Sequence, residues 1–233
     1  LDAIRATLSF RPAGLSKHSP VGLWGYSGGS FASVVAAEYQ SSYAPDLTFR
    51  AIALGGLVGS VRASINDFDG TVFGGAIAMG INGFIRGFPK LDIWKYLNAT
   101  GRRDVKGASH DCISDAVPRY PALSFKQMES VPHALDVGPI ARMLRANSPL
   151  GIKGTPTAPI YDYHAVGDEL APLHPALALL HRFCDAGVVV QHVQTLVGEH
   201  ISEVVTGEPG AMRFFTNRFA GKKPIDTCSS MPS

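Results

Sequence analysis

Gly25-Tyr26-Ser27-Gly28-Gly29 fits G-x-S-x-G, the pattern of a serine held on a sharp strand-to-helix turn. Small residues are expected on both sides of that serine, because the turn brings strand and helix backbones so close that a Cβ would clash. About 0.2 chance matches are expected at this serine and glycine content. Context adds weight: the apolar run 21–24 leads into Gly25, and Phe31, Val34, Val35 and Tyr39 recur at helical spacing beyond Gly29. A serine hydroxyl is a weak nucleophile at neutral pH, so it needs a base within hydrogen-bond reach and an acid that orients the base. On such a turn the expected chain order is Ser, then Asp or Glu, then His. Asp168, in HAVGDELAP, and His200, in LVGEHISE, stand in that order, each just after a β-prone run. Glu169 and Asp162 compete for the acid role, and Gly167 favours Asp168 by marking a turn. Of the eight histidines, His18, His110 and His133 precede or fall in an irregular region, His174 and His181 lie on a helical pattern, and His164 and His192 lie inside strands. His200 alone has the required position.

The elements that must hold these residues alternate. A helix is expected over 1–8, a strand over 21–24, a helix over 29–40 and a strand over 49–54. After an interruption come a strand over 158–164, a helix over 172–186, a strand over 188–197 and a helix over 209–219. This order predicts an α/β fold, a mostly parallel sheet with helices on both faces. Residues 57–152 lose the rhythm, with helical patches at 92–98 and 138–146, and read as an inserted, mainly helical cap between core segments 1–56 and 153–233. The apolar run 72–88 is broken by Asn82, Arg86 and five glycines, so it does not span a membrane. It reads as a buried Gly-rich helix pair or as a mobile cap over an apolar substrate. In the second reading Val72, Phe73, Ile77, Met79, Phe84 and Phe88 would meet the substrate.

Composition narrows the classes further. Hydrophobic residues make up 45% and charged residues 17%, with 21 basic against 19 acidic side chains, which argues against disorder and against an electrostatic grip on nucleic acid. Cys112, Cys184 and Cys228 form no CxxC pair, and no zinc or redox site is expected. Asn66-Asp67-Phe68-Asp69-Gly70 looks faintly like a calcium loop, but Ile65 and Ala76 fall where carboxylates are required, so it reads as a turn. Dinucleotide and P-loop motifs are missing. Asn98-Ala99-Thr100 is an N-glycosylation sequon, a frequent chance match.

WGYSGGSFASVVAAEYQSSYAPDL, YHAVGDELAPLHPA and GEHISEVVTGEPGAMRFFTNRF together resemble the secretory lipases, over nearly the whole chain. The resemblance implies an α/β-hydrolase with a helical cap, secretion, no metal or other cofactor, and hydrolysis of carboxylic esters including acylglycerols, with transient contact at a lipid interface. Carried over by position, Ser27 matches the nucleophile, Asp168 the triad acid and His200 the base. Gly28 matches the residue whose backbone N–H is one oxyanion donor. Cys184 and Cys228 match a family disulfide, and the counterpart of Cys112 pairs with a cysteine in the amino-terminal part. One departure stands out: in the family a long segment with the first strands and the second oxyanion donor precedes the serine turn, whereas 24 residues precede Gly25 here. The chain is therefore expected to be a carboxyl-terminal piece that partners an amino-terminal segment, held to it through Cys112. Two rivals use the same residues: an acyltransferase or serine peptidase on the same triad, and a non-catalytic hydrolase-like binding domain.

Overall fold

Side chains alternate along a strand, and Phe49–Gly55 (β2) shows what that alternation builds. Ile52 and Leu54 join Val34, Ala37, Leu179, Leu180 and Phe183 in one core. Ala51 and Ala53 face Tyr161, Tyr163, Ala211 and Phe214 on the other side. The small alanines leave room for rings from the neighbouring elements, and Tyr161 stacks on Phe214 with centroids 5.4 Å apart. β2 pairs in parallel with Val21–Tyr26 (β1) on one edge and Ile160–Ala165 (β3) on the other. β3 pairs in parallel with Val190–Thr195 (β4), giving a four-stranded sheet in the order β1-β2-β3-β4.

The computed structural model describes residues 1–136 and 138–232. Its helices along the chain are α1 (Asp2–Ser9), α2 (Gly28–Tyr43), α3 (Val61–Phe68), α4 (Gly75–Gly87), α5 (Ala99–Gly107), α6 (Ile113–Arg119), α7 (Phe125–Met128), α8 (Gly138–Ala146), α9 (Leu173–Asp185), α10 (His200–Thr206) and α11 (Glu208–Phe219). Two units emerge: Leu1–Ser60 with Pro149–Ser233, and Val61–Ser148. In the first, α2 and α9 cover one face of the sheet and α11 the other. The carboxyl-terminal tail runs beside β4, where Thr227 N–H donates to Val190 O at 2.8 Å and His192 N–H donates to Thr227 Oγ1 at 2.8 Å. A Cys184–Cys228 disulfide fastens that tail to α9, so the pairing the resemblance implied is present. The tail also shields an edge that would otherwise offer unpaired backbone groups.

The second unit contains α3 to α8 around Ile77, Ala78, Ile81, Leu97, Val105, Met128 and Leu144. Run 72–88 holds one helix, α4, rather than a pair. A Cβ on Gly75 would lie 2.2 Å from Ala116 O, so this glycine lets α4 approach the backbone of α6. The patch at 92–98 is a short 3-10 turn, Ile93–Tyr96, followed by an isolated antiparallel bridge between Leu97 and Glu129. Asn98 caps α5, accepting Gly101 N–H at 2.9 Å, and its amide donates to Gln127 O at 2.8 Å and Glu129 O at 3.2 Å. The sequon asparagine is thus a structural tie. Asp69, from the discarded calcium loop, accepts from Ser124 Oγ at 2.9 Å and from Phe125 N–H at 2.5 Å, capping α7.

Candidate active site

β1 ends at Tyr26 and α2 begins at Gly28, leaving Ser27 alone to make the turn. Its backbone sits at φ 54°, ψ −121°, a region that costs a non-glycine residue about 1–3 kcal/mol. The surroundings enforce it. Ser27 N–H donates to Gly55 O at 2.9 Å, and Ser27 O accepts from Phe31 N–H at 3.0 Å and from the Ser30 hydroxyl at 2.6 Å. A Cβ on Gly25 would come within 2.0 Å of Gly29 O, so the expected crowding is real there. At Gly28 and Gly29 a Cβ would meet no atom within 4 Å, and crowding does not explain those two glycines. Gly28 is exposed and opens α2, where backbone N–H groups have no intrahelical acceptor.

Asp168 follows β3 on a turn tied to itself. Its Oδ1 accepts Leu170 N–H at 3.0 Å and Ala171 N–H at 2.7 Å. Both carboxylate oxygens lie 2.8 Å from His200 Nδ1. Burial raises the affinity of Asp168 for a proton, but the hydrogen bonds from His200 and Ala171 and the two nearby imidazoles outweigh it and hold the carboxyl below its ordinary 3.8. Behind it, fully buried His164 donates from Nε2 to Ala171 O at 2.8 Å and stands 3.5 Å from Asp168 Oδ2.

His200 opens α10, a helix that the apolar periodicity did not announce. Glu199 caps it by accepting the N–H groups of Ile201 at 2.7 Å and Ser202 at 2.8 Å. With Nδ1–H aimed at Asp168, the neutral ring carries its lone pair on Nε2, the arrangement a general base requires. A Cβ on Gly56 would lie 3.1 Å from His200 Cε1, so the imidazole edge reaches the residue that follows β2 and sits beside the serine turn. Ser27, Asp168 and His200 therefore follow β1, β3 and β4 at the carboxyl edge of one parallel sheet, where functional residues of α/β folds gather.

The competitors for the acid role have other partners. Asp162 is buried in mid-strand and bonded to His192 Nδ1 at 2.7 Å. Glu169 accepts the backbone N–H of His200 at 3.1 Å. Tyr26, unnoticed as a site residue, donates its hydroxyl to His200 O at 2.6 Å. No local pattern signals that bond, since 174 residues separate the partners. Among the six apolar residues expected to meet substrate, Ile77 is buried in the core of the second unit, and Met79, Phe84 and Phe88 pack against that core. Phe73 is half-buried, and Val72 is 64% exposed.

The family model described as Secretory lipase matches residues 1–227. Lipase 2 of Candida albicans is 31% identical over 242 aligned residues, covering 98% of this chain and 52% of the relative. A secreted triacylglycerol lipase of Malassezia furfur is 32% identical over 234 residues, covering 95% of this chain and 60% of the relative. The crystal structure of Candida antarctica lipase A superposes with a TM-score of 0.91 at 28% identity, covering 100% of this chain and 56% of that one. A rice cell wall degrading esterase from Xanthomonas oryzae shares the fold at a TM-score of 0.68 and 17% identity. The chain spans about half the length of the curated relatives it matches. The parallel sheet, its serine turn and these likenesses agree on an α/β-hydrolase fold, and the chain belongs to the secretory lipase family.

Proposed function

We propose that this chain carries the catalytic serine, acid and histidine of a secreted carboxylic-ester hydrolase of lipase or esterase type. The observation that carries the reading is the Asp168 carboxylate gripping His200 Nδ1 at 2.8 Å through both oxygens, at the sheet edge that also bears the strained Ser27. His200 Nε2 takes the proton of Ser27 Oγ as that oxygen attacks the ester carbonyl. The ionised Asp168 stabilises the imidazolium, and Gly28 N–H binds the oxyanion. Collapse breaks the bond to the alcohol, which leaves with the proton from His200. Water, deprotonated by His200, then attacks the acyl-enzyme, releasing the carboxylic acid and regenerating Ser27.

The relatives' names support acylglycerol esters as substrates and a secreted location. Leu196 and Val197, 81% and 87% exposed, with exposed Ile201 beside His200, support transient contact with a lipid surface. Oxyanion binding in this chemistry uses more than one donor, each worth about 10² to 10³ in rate. We assign the second donor and the first strands of the sheet to an amino-terminal segment, an assignment supported by the relatives' greater length. Cys112, exposed and outside any disulfide among the described residues, is the proposed attachment point. In the full-length protein, Ser27→Ala abolishes turnover of a 4-nitrophenyl ester and labelling by an organophosphonate. Turnover that survives the substitution rejects the assignment.

A further inference from the structure

The triad chemistry leaves the phenol of Tyr26 and the carboxylate of Glu169 without a task, yet both end on the main chain of His200. Glu169 Oε2 accepts its N–H at 3.1 Å, and Tyr26 Oη donates to its carbonyl at 2.6 Å. As the first residue of α10, His200 has an N–H with no intrahelical acceptor, and Glu169 supplies one. The Tyr26 ring also lies against the imidazole, with centroids 5.1 Å apart, and against Tyr163 at 5.8 Å. Tyr26 immediately precedes Ser27, so this hydrogen bond runs from the serine's own neighbour to the histidine's own backbone.

We infer that Tyr26 and Glu169 are positioning residues that clamp the His200 main chain from both sides, so that Nε2 is presented to Ser27 at a set distance. The inference rests on the triad reading above. Asp168 fixes the plane and tautomer of the ring, but a ring can pivot with its backbone, and α10 is a short helix ending a loop. A displacement of about 1 Å at such a site costs up to about 100-fold in rate. Burial, followed by the charge of Asp168, pushes the Tyr26 phenol upward, so it stays a donor across the working pH range. The hydrogen bonds of both residues end on the His200 main chain rather than on its ring nitrogens, and the clamp acts on kcat rather than on substrate affinity.

The test begins with wild-type full-length protein and an organophosphonate. Absence of a label on Ser27 would reject the triad reading itself, whereas labelling admits the next step. Tyr26→Phe, which keeps the ring, is then compared on a 4-nitrophenyl ester with Glu169→Ala and Glu169→Gln, each scored per folded molecule. The clamp requires a kcat loss of about 10- to 100-fold in Tyr26→Phe with KM within about twofold. It also requires a several-fold kcat loss in Glu169→Ala that Glu169→Gln restores, because an amide oxygen still accepts the His200 N–H. A folded Tyr26→Phe with wild-type kcat, or a lowered melting temperature with no kcat change, overturns it. If Tyr26→Phe does not fold, the exposed Glu169 pair decides, and Glu169→Gln as slow as Glu169→Ala overturns the clamp.

Discussion

The two units use polar side chains differently. In the sheet unit, buried carboxylates meet basic side chains of other elements: Asp168 with His200, Asp162 with His192, and Glu38 with the partly exposed Arg182. In the helical unit, Asp69 and Asn98 cap α7 and α5. The difference follows from the backbone. A parallel ladder satisfies its own N–H and C=O groups, leaving side chains at its carboxyl edge available for chemistry. Short helices expose unsatisfied groups at both ends, and nearby polar side chains are drawn into covering them.

Glycine tests that contrast most sharply. Gly25→Ala forces a Cβ to 2.0 Å from Gly29 O, so backbone must shift in the same turn that holds the bond from Ser27 N–H to Gly55 O. The expected result is a loss of at least about 3 kcal/mol and no organophosphonate labelling, read by thermal melting and mass spectrometry. A stable, labelled variant would show that the turn is more pliable than its packing implies.

The buried charges should also make the sheet unit pH-sensitive. Burial outweighs the neighbouring Arg182 and pushes the Glu38 carboxyl from 4.5 up to about 7. Burial works against charged His192, but its hydrogen bond to Asp162 prevails and holds it above its usual 6.5. A group whose folded value is raised contributes stability below its unfolded value and loses it as pH rises through the folded value. Glu38 therefore favours the folded state below about pH 4.5, and that contribution disappears by about pH 7. Melting temperatures from pH 4.5 to 8 should fall for the wild type relative to Glu38→Gln, by an amount equivalent to about 1–3 kcal/mol. Parallel curves would refute the raised carboxyl. Asp168 has the opposite sign: its contribution is present above 3.8 and is lost as pH falls through its lowered value.

The smallest effect belongs to the helical unit. α4 buries Ile77, Ala78 and Ile81, while a Cβ on Gly80 or Gly83 would meet nothing within 4 Å. Each Gly→Ala change there should stabilise by about 0.5–1 kcal/mol, because glycine loses more freedom on entering a helix. Calorimetry of the two single variants checks this, and a lowered melting temperature would reveal a contact or a required motion at that face.

Strand, helix and turn order in the sheet unit was legible because each strand is a β-prone run whose neighbours are punctuated by Gly or Pro, and Asp168 and His200, the proposed partners of Ser27, sit just beyond such runs. The turn at Ser27 was legible for the same reason, since Gly25 answers a local collision. The helical unit resisted reading because its elements depend on distant partners. α7 has four residues and is capped from Asp69, and the expected helix at 92–98 instead yields to a bridge that joins Leu97 with Glu129. α10 was missed because seven residues starting inside a turn carry too little periodicity, and its cap is a glutamate.

The chain order Ser27, Asp168, His200 was thus determined by sequence alone, because each residue is tied to the end of its own strand. Gly167 favoured Asp168 over Glu169, but the contacts that send one carboxylate to the imidazole and the other to the backbone were decided in three dimensions. Asp168 and Glu169 are adjacent and chemically alike, and a turn closed by Leu170 and Ala171 N–H groups sends the first to Nδ1 and leaves the second on the amide of His200. Tyr26 reached His200 by the same route. A hydrogen bond across 174 residues has no local signature, and it exists because parallel strands bring their carboxyl ends to one edge.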